Sequence, residues 1–507
     1  VKKIKHVIVQ AGGKGTRMGF LTQNKPKCLI SINGKPLLYH LSKAFPEAHF
    51  YIVTDYKKDV LYRYLKINPP EFPYVLVETN GRGTCAGLEK ARMKIPIHEP
   101  FAIVWSDLLF TSEIMLPDIE QNYVGLTNEF KCRWSFRDES LIESPSDKAG
   151  VMGLFFIGKP DILPRIPENG EFVRFLSENS ALVELVPQWI EGVKEIGTLE
   201  AFEKLKSVEV NNRFFNSVSF EKNRVIKMSR NHEFKKLIED EINWYKFVSK
   251  HNYKYIPKIF EIGNNRIEME KIDGLHPYDV DKNTEKDKIL EKIFASLDEL
   301  HSIEKYKYDR EIVKDVYVKK TYRRLSKISL LIPNKENEFY VVNGKKVRNL
   351  LNERYFDDIS KAFKEIKCSE VFTVIHGDPT FSNMKINENG DAIFFDPRGY
   401  FGSLKIFGDP MYDFAKLYYS VIGNYDQFNK KNFRISVRGN EVDVKINSNG
   451  WEELEYLFKE KFGDRMKDLK ILHALIWLSL TGYVLDDVDS ILGSYFHGLE
   501  LFEESIK

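Results

Sequence analysis

The chain of 507 residues holds only four cysteines, Cys28, Cys85, Cys132 and Cys368, and none of them share a CxxC spacing. Their scarcity excludes a disulfide framework and a cysteine-based metal site, and it suits free thiols in a reducing cytoplasm. An excess of one charge is also missing. Lys and Arg number 76 against 74 Asp and Glu, a net charge of +2, so the balance does not call for a nucleic-acid partner. No apolar run is long enough to span a bilayer; Ile471–Leu480, the most apolar late stretch, contains His473 and reads as a core helix. The sequence enters its first strand directly, which leaves no room for a signal peptide, and a cytoplasmic protein without a membrane partner is expected. There is no internal repeat and no low-complexity linker. A chain of this length exceeds one ordinary core, so abutting domains are expected, with a boundary at Lys206 giving regions 1–206 and 207–507.

What is present begins with a βα rhythm over the first 110 residues. Val7–Val9, Phe50–Val53, Tyr74–Val77 and Phe101–Trp105 read as buried strands. Pro36–Phe45, Asp59–Ile67 and Thr84–Ile95 read as helices. Such alternation implies a mainly parallel sheet with ligands at the carboxyl ends of its strands. Asp107 lies at one such end. From Val124 to Gly158 the pattern shifts to strands and turns, and Thr198 is placed to cap a helix from Ala201 to Lys206.

Between the first strand and Pro26-Lys27 lies Gln10-Ala11-Gly12-Gly13-Lys14-Gly15-Thr16-Arg17-Met18. Glycines there let backbone N–H groups approach a triphosphate, and Arg17 and Lys27 supply the fixed positive charge that departing phosphoryl oxygens need. No Gly-Lys-Ser/Thr follows the glycines, so this is not a Walker loop. A Gly-rich turn after a strand is the plainer reading of the GxG by itself. The whole stretch resembles the signature of the sugar-phosphate and choline-phosphate nucleotidyltransferases. That resemblance implies an α/β Rossmann-like sheet domain with Ala11, Gly12, Gly13, Gly15 and Thr16 at the nucleotide, and Gln10 and Gly83-Thr84 near the base and bound substrate. It also implies catalytic roles for Arg17 and Lys27, and Asp107 holding Mg²⁺. Glu195, in Glu195-Ile196-Gly197-Thr198, stands where the family usually has Asp. It is open between a second metal carboxylate and a solvated loop acid.

A second constellation follows Val371–Ile375. His376-Gly377-Asp378-Pro379-Thr380-Phe381-Ser382-Asn383 is succeeded by the apolar Ala392–Phe395 and by Asp396-Pro397-Arg398-Gly399. Phosphoryl transfer to an alcohol needs a carboxylate to accept the hydroxyl proton and oxygen ligands for Mg²⁺; Asp378 suits the base, Asn383 and Asp396 the metal. A lone Asp after a strand is more simply a cap or a turn. HGDxxxxN followed by a strand and Asp resembles the aminoglycoside phosphotransferase and choline kinase group, whose fold is similar to protein kinases. An α+β bilobal domain is therefore expected.

The likeness reaches back to Phe214. A hairpin of Phe214–Phe220 and Arg224–Met228 carries Lys227, which matches the lysine on ATP phosphates. Glu241, with Glu239 as competitor, is its expected ion-pair partner, and Glu270–Ile272 resembles the adenine hinge. Asp413, in Gly408-Asp409-Pro410-Met411-Tyr412-Asp413, either supports the catalytic loop or caps a helix. The hairpin is expected to turn at Glu221-Lys222-Asn223, and its Asn216-Ser217-Val218-Ser219 region has no glycine to cover phosphates.

The expected protein is a bifunctional enzyme. Its second region phosphorylates a small alcohol or sugar with ATP. Its first region joins that phosphate to a nucleotide from CTP, UTP or GTP, releasing pyrophosphate and giving an activated precursor for a surface glycan. Choline with CTP and a sugar phosphorylated at its anomeric hydroxyl both stay open, though Arg398 mildly disfavours a cationic acceptor. The competing class is a nucleotide-binding regulatory protein with an inactive domain.

Overall fold

The computed structural model describes residues 3–206, 216–229, 235–263, 265–281, 284–367 and 369–507. Phe214 and Cys368 lie outside them. The chain divides into two compact units, Val1–Glu209 with Asp486–Asp489, and Val210–Leu485 with Ser490–Lys507. Cys28, Cys85 and Cys132 are buried free thiols.

The first unit is built on a nine-stranded sheet. Its path runs Ser140–Ile142, Ser135–Arg137, Gly150–Ile157, Phe101–Trp105, His6–Gln10, His49–Thr54, Tyr74–Glu78. Phe101–Trp105, His6–Gln10, His49–Thr54 and Tyr74–Glu78 are parallel neighbours. Val7, Ile8 and Val9 are fully buried, as a strand covered on both faces must be. Gly150–Ile157 runs antiparallel to Phe101–Trp105, and it is buried throughout. The helices Leu37–Ala44 and Lys58–Ile67 fall within a residue or so of their sequence expectation. The expected helix Thr84–Ile95 is instead a run of turns leading into Leu88–Arg92. Here Cys85 N–H bonds the Gly170 carbonyl at 3.0 Å and Phe172 N–H bonds Thr84 Oγ1 at 2.8 Å, so tertiary partners take the place of the first helical turn.

Segment Asp486–Asp489 joins this unit through Lys25, a fully buried ammonium that donates to Asp487 and Asp489 at 2.6 Å each. Neither Lys25 nor these acids carries a sequence motif.

The second unit opens with a four-stranded antiparallel sheet in the order Asn216–Glu221, Arg224–Ser229, Arg266–Glu270, Ile259–Gly263. The turn falls at Lys222-Asn223, within the Glu221-Lys222-Asn223 expected from the sequence, and Asn216–Ser219 lies in the strand before it. Helix Lys235–Lys250 packs on this sheet, burying Ile238, Ile242, Trp244, Tyr245 and Val248. Helices Lys286–Ser302, Pro410–Val421 and Met466–Leu480 form a largely buried helical core. Arg310–Ile328 is one continuous helical run whose middle, Asp315–Lys319, is a wide π-turn. The hairpin at Asn343-Gly344 and the strands Phe433–Arg438 and Glu441–Ile446 complete a second four-stranded sheet. No helix among the described residues is long and apolar enough to cross a membrane.

Candidate functional site

In the first unit, strand His6–Gln10 ends against the ends of its two parallel neighbours, and its glycine loop crosses that edge. Ala11 N–H donates to the Val53 carbonyl at 3.1 Å, and Ser106 N–H to the Gln10 carbonyl at 3.3 Å. This is the carboxyl-end crevice where parallel sheets receive ligands. Gly15 turns the loop with φ +61°, and a Cβ there would sit 3.2 Å from Lys27 Cβ. Gly83, at φ +85°, lies so close to the Gly170 carbonyl that a Cβ would meet it at 2.3 Å. Gln10 spends its amide on the protein: it donates to the Thr84 and Ala86 carbonyls at 2.9 and 3.0 Å and accepts from Gly12 N–H at 3.2 Å. It thereby fixes the glycine loop to the segment after Gly83.

The charged groups converge beside this loop. Lys27 Nζ lies 2.5 Å from Asp107 Oδ2, both largely buried. Strand Val193–Glu195 pairs antiparallel with Leu108–Phe110, setting Glu195 opposite Leu108, next to Asp107. Ile196 N–H bonds the Asp107 carbonyl at 2.8 Å. Arg17, mostly exposed, reaches Glu195 Oε1 at 3.7 Å. Burial raises the Glu195 carboxyl above its ordinary range and the nearby Asp107 charge adds to this, against Lys27 and Arg17. Gly197 makes the arrangement possible, because a Cβ there would lie 2.5 Å from Glu195 Oε1 and 3.4 Å from Arg17 Nη2. Thr198 Oγ1 accepts from Ala201 N–H at 3.2 Å, at the start of helix Leu199–Lys206.

Residues 7–124 match the model of the MobA-like NTP transferase domain. The "Bifunctional protein GlmU" of Methanococcus maripaludis is 30% identical over 123 residues, covering 24% of this chain and 29% of that protein. The UTP–glucose-1-phosphate uridylyltransferase AglF of Haloferax volcanii is 28% identical over 112 residues, 21% of this chain and 45% of that protein. The chain thus spans less than half the length of either relative. Solved structures similar to it include CTP:phosphocholine cytidylyltransferase from Streptococcus pneumoniae, at TM-score 0.33 and 18% identity, covering 41% of this chain and 99% of that one. HddC from Yersinia pseudotuberculosis gives TM-score 0.34 and 18% identity, over 41% of this chain and 100% of that one. Residues 7–124 of the first unit are thus similar to an NTP transferase domain, and they lie on an α/β sheet whose central strands are parallel.

In the second unit, Lys227 on Arg224–Ser229 is buried and bridges Glu241 at 2.6 Å and Asp396 at 2.7 Å. Glu239 turns outward to Lys235 at 3.7 Å. Glu270 ends its strand exposed, and its carboxylate accepts from Lys258 N–H at 3.1 Å. Asn383 Nδ2 donates to Asp378 Oδ2 at 2.9 Å and to the Asp378 carbonyl at 2.8 Å. Asp396 holds φ +57°, a strained left-handed conformation for a non-glycine residue, and such strain clusters at functional sites. Asp413 does not cap its helix. Its carboxylate accepts from His376 and Gly377 N–H at 2.8 and 2.7 Å and lies 3.0 Å from His301 Nε2, while Asp409 caps by accepting from Met411 N–H. Asp413 thus fixes the backbone that presents Asp378. Lys416 Nζ, which carries no motif, reaches Asp378 Oδ1 at 2.8 Å.

No group of three or more His, Cys, Asp or Glu able to hold a metal occurs among the described residues. The two donor sets, Asp107 with Glu195 and Asn383 with Asp396, consist of oxygens. They suit Mg²⁺, which takes one or two carboxylates and fills its other positions with phosphate oxygens and water.

Proposed function

We propose that the protein is a bifunctional enzyme. The second unit phosphorylates a small alcohol or sugar with ATP, and the first transfers a nucleotidyl group from CTP, UTP or GTP to the resulting phosphate, releasing pyrophosphate. The product is an activated precursor for glycan assembly. The observation that carries the reading is the convergence of Lys27, Arg17, Asp107 and Glu195 at the end of a parallel sheet in a domain of NTP-transferase type.

In the first reaction an oxygen of the acceptor phosphate attacks the α-phosphorus, and the bond to the β-phosphate breaks. The nucleophile is already anionic, so no general base is needed. Lys27 and Arg17 neutralise charge on the triphosphate, and the loop of Gly12, Gly13 and Gly15 brings backbone N–H groups to it. Asp107 and Glu195 would hold Mg²⁺, which supplies charge neutralisation at the phosphates. In the second reaction the acceptor hydroxyl attacks the γ-phosphorus of ATP, the bond to the β-phosphate oxygen breaks, and Asp378 takes the hydroxyl proton. Lys227, held by Glu241, serves the phosphates, Asn383 and Asp396 would hold Mg²⁺, and Glu270 marks the adenine side.

The test is a screen of nucleoside triphosphates and acceptors that reads pyrophosphate release and ADP formation separately. Magnesium-dependent turnover is expected in both channels. Nucleotide binding without turnover in either would replace this reading with a regulatory one.

A further inference from the structure

Around Asp378 and Tyr412 the second unit gathers four cations. Lys416 pairs with Asp378 at 2.8 Å. Arg398 Nη1 donates to Tyr412 Oη at 2.9 Å, with its guanidinium carbon 5.8 Å from the Tyr412 ring centroid. Lys320 Nζ lies 5.5 Å from the same centroid. Arg324, one turn along the helix from Lys320, spends one nitrogen on the Ser479 carbonyl at 2.7 Å and hydroxyl at 3.2 Å. Tyr412 and Lys416 are buried, and Lys320, Arg324 and Arg398 are half-buried. Lys320, Arg324 and Arg398 form no ion pair with a carboxylate among the described residues. Asp378 acts on Arg398, and Lys416 already engages it.

Such a cluster costs free energy as it stands. Like charges at i and i+4 on a helix repel, and half-buried ammonium and guanidinium groups lose hydration. Burial pulls the Lys320 ammonium down to about 8, with Arg398, Arg324 and Lys416 adding to the fall. Burial alone would push the Tyr412 phenol up, yet Arg398, Lys320 and Lys416 outweigh it and bring the phenol to about 7. Even as a phenolate, Tyr412 would offset one cation and leave the others. The chain has also placed Lys320 directly after the π-turn Asp315–Lys319, a feature that recurs at functional sites and re-phases the helix that follows.

The position of the cluster decides what it serves. Lys227, Glu241 and Asp396 form their own ion-pair set, the one assigned above to ATP. The four cations instead gather around Tyr412, and two of them, Lys416 and Arg398, act on the carboxylate assigned as proton acceptor, where the acceptor hydroxyl must lie. We propose that the acceptor of the second unit is an anionic alcohol, carrying a phosphate or carboxylate group that Lys320, Arg324 and Arg398 bind while Asp378 faces its hydroxyl. This rests on the phosphotransferase reading of Asp378, and it excludes a cationic amino-alcohol as the substrate.

Two measurements on the full-length protein test it. The first is titration of inorganic phosphate followed by calorimetry, on a Lys27→Ala background that weakens phosphate binding by the first unit. Substituting Lys320→Met should weaken the binding at least tenfold, and Lys320→Arg, which keeps the charge, should restore it. Binding that is absent, or indifferent to both substitutions, overturns the proposal. The second measurement is ADP formation with glucose, choline, glucose 6-phosphate and gluconate. Turnover of a phosphate or carboxylate acceptor supports the proposal and tells the two anions apart. Turnover of choline or glucose alone overturns it, while the phosphotransferase reading stands. Cluster-dependent phosphate binding with no ADP from any acceptor leaves the anion site standing and counts against the phosphotransferase reading instead.

Discussion

At the first unit's edge, Gly197 matters for what it lacks. Glu195 Oε1 occupies the space that a Cβ at position 197 would claim, only 2.5 Å away, and Arg17 closes from the other side. Gly197→Ala must therefore displace the Glu195 carboxylate from its place. An ångström of misplacement at a reacting centre costs about 10²-fold in rate. Pyrophosphate release should fall by that order while ADP formation stays at the wild-type rate; an unchanged pyrophosphate rate would remove Glu195 from the site. Residues such as Lys27, Asp107 and Asp378 are legible in sequence because each follows a glycine loop or an apolar strand at a fixed spacing. Lys416, Lys320, Arg324 and Lys25 are not. They sit on helices or loops with no local pattern, and only tertiary folding brings them to their partners. Gln10 was legible as a position, but its work of tying Gly12 to Thr84 and Ala86 is visible only once those carbonyls are in place.

Among the elements, buried strands read well because an apolar run bounded by turn residues has few alternatives. The errors fall where tertiary hydrogen bonds override local pattern, as at Thr84–Gly87. Three helices of the second unit are also joined by a network no pattern announces. Glu455 accepts from Tyr418 at 2.7 Å and pairs with Lys459 at 2.7 Å and Lys470 at 2.9 Å. Burial works to raise its carboxyl, but these three partners prevail and hold it at about 2. A carboxyl depressed on folding contributes stability that is present above its unfolded value near 4.5 and is lost as pH falls towards 2. At neutral pH the contribution, after discounting for solvent screening of the exposed lysines, is on the order of 1 kcal/mol. Glu455→Gln should lower the urea midpoint of the second unit's transition at pH 7, and the gap from wild type should narrow by pH 3. A gap independent of pH would mean that the network acts through packing alone.

On the scale of the whole molecule, each unit has its own sheet, its own core and its own charged set. If the two sets perform consecutive reactions, they should be separable by mutation and joined by a diffusing intermediate. Asp378→Ala removes the group that takes the hydroxyl proton, a role worth about 10²–10⁴-fold, so ADP formation should collapse. The same variant should still form the nucleotide conjugate when supplied with acceptor phosphate, because Gly13, Arg17 and Lys27 are intact. Lys27→Ala removes a positioned charge at the transferring phosphoryl group and should cost about 10²-fold or more in conjugate formation, with phosphorylated acceptor accumulating. Mixed together with free acceptor, ATP and a second nucleoside triphosphate, the two variants should restore the conjugate, read by mass spectrometry. Restoration requires that the phosphorylated acceptor leave one protein and enter another. If Asp378→Ala alone converts free acceptor to conjugate at the wild-type rate, the two reactions are not sequential in this chain.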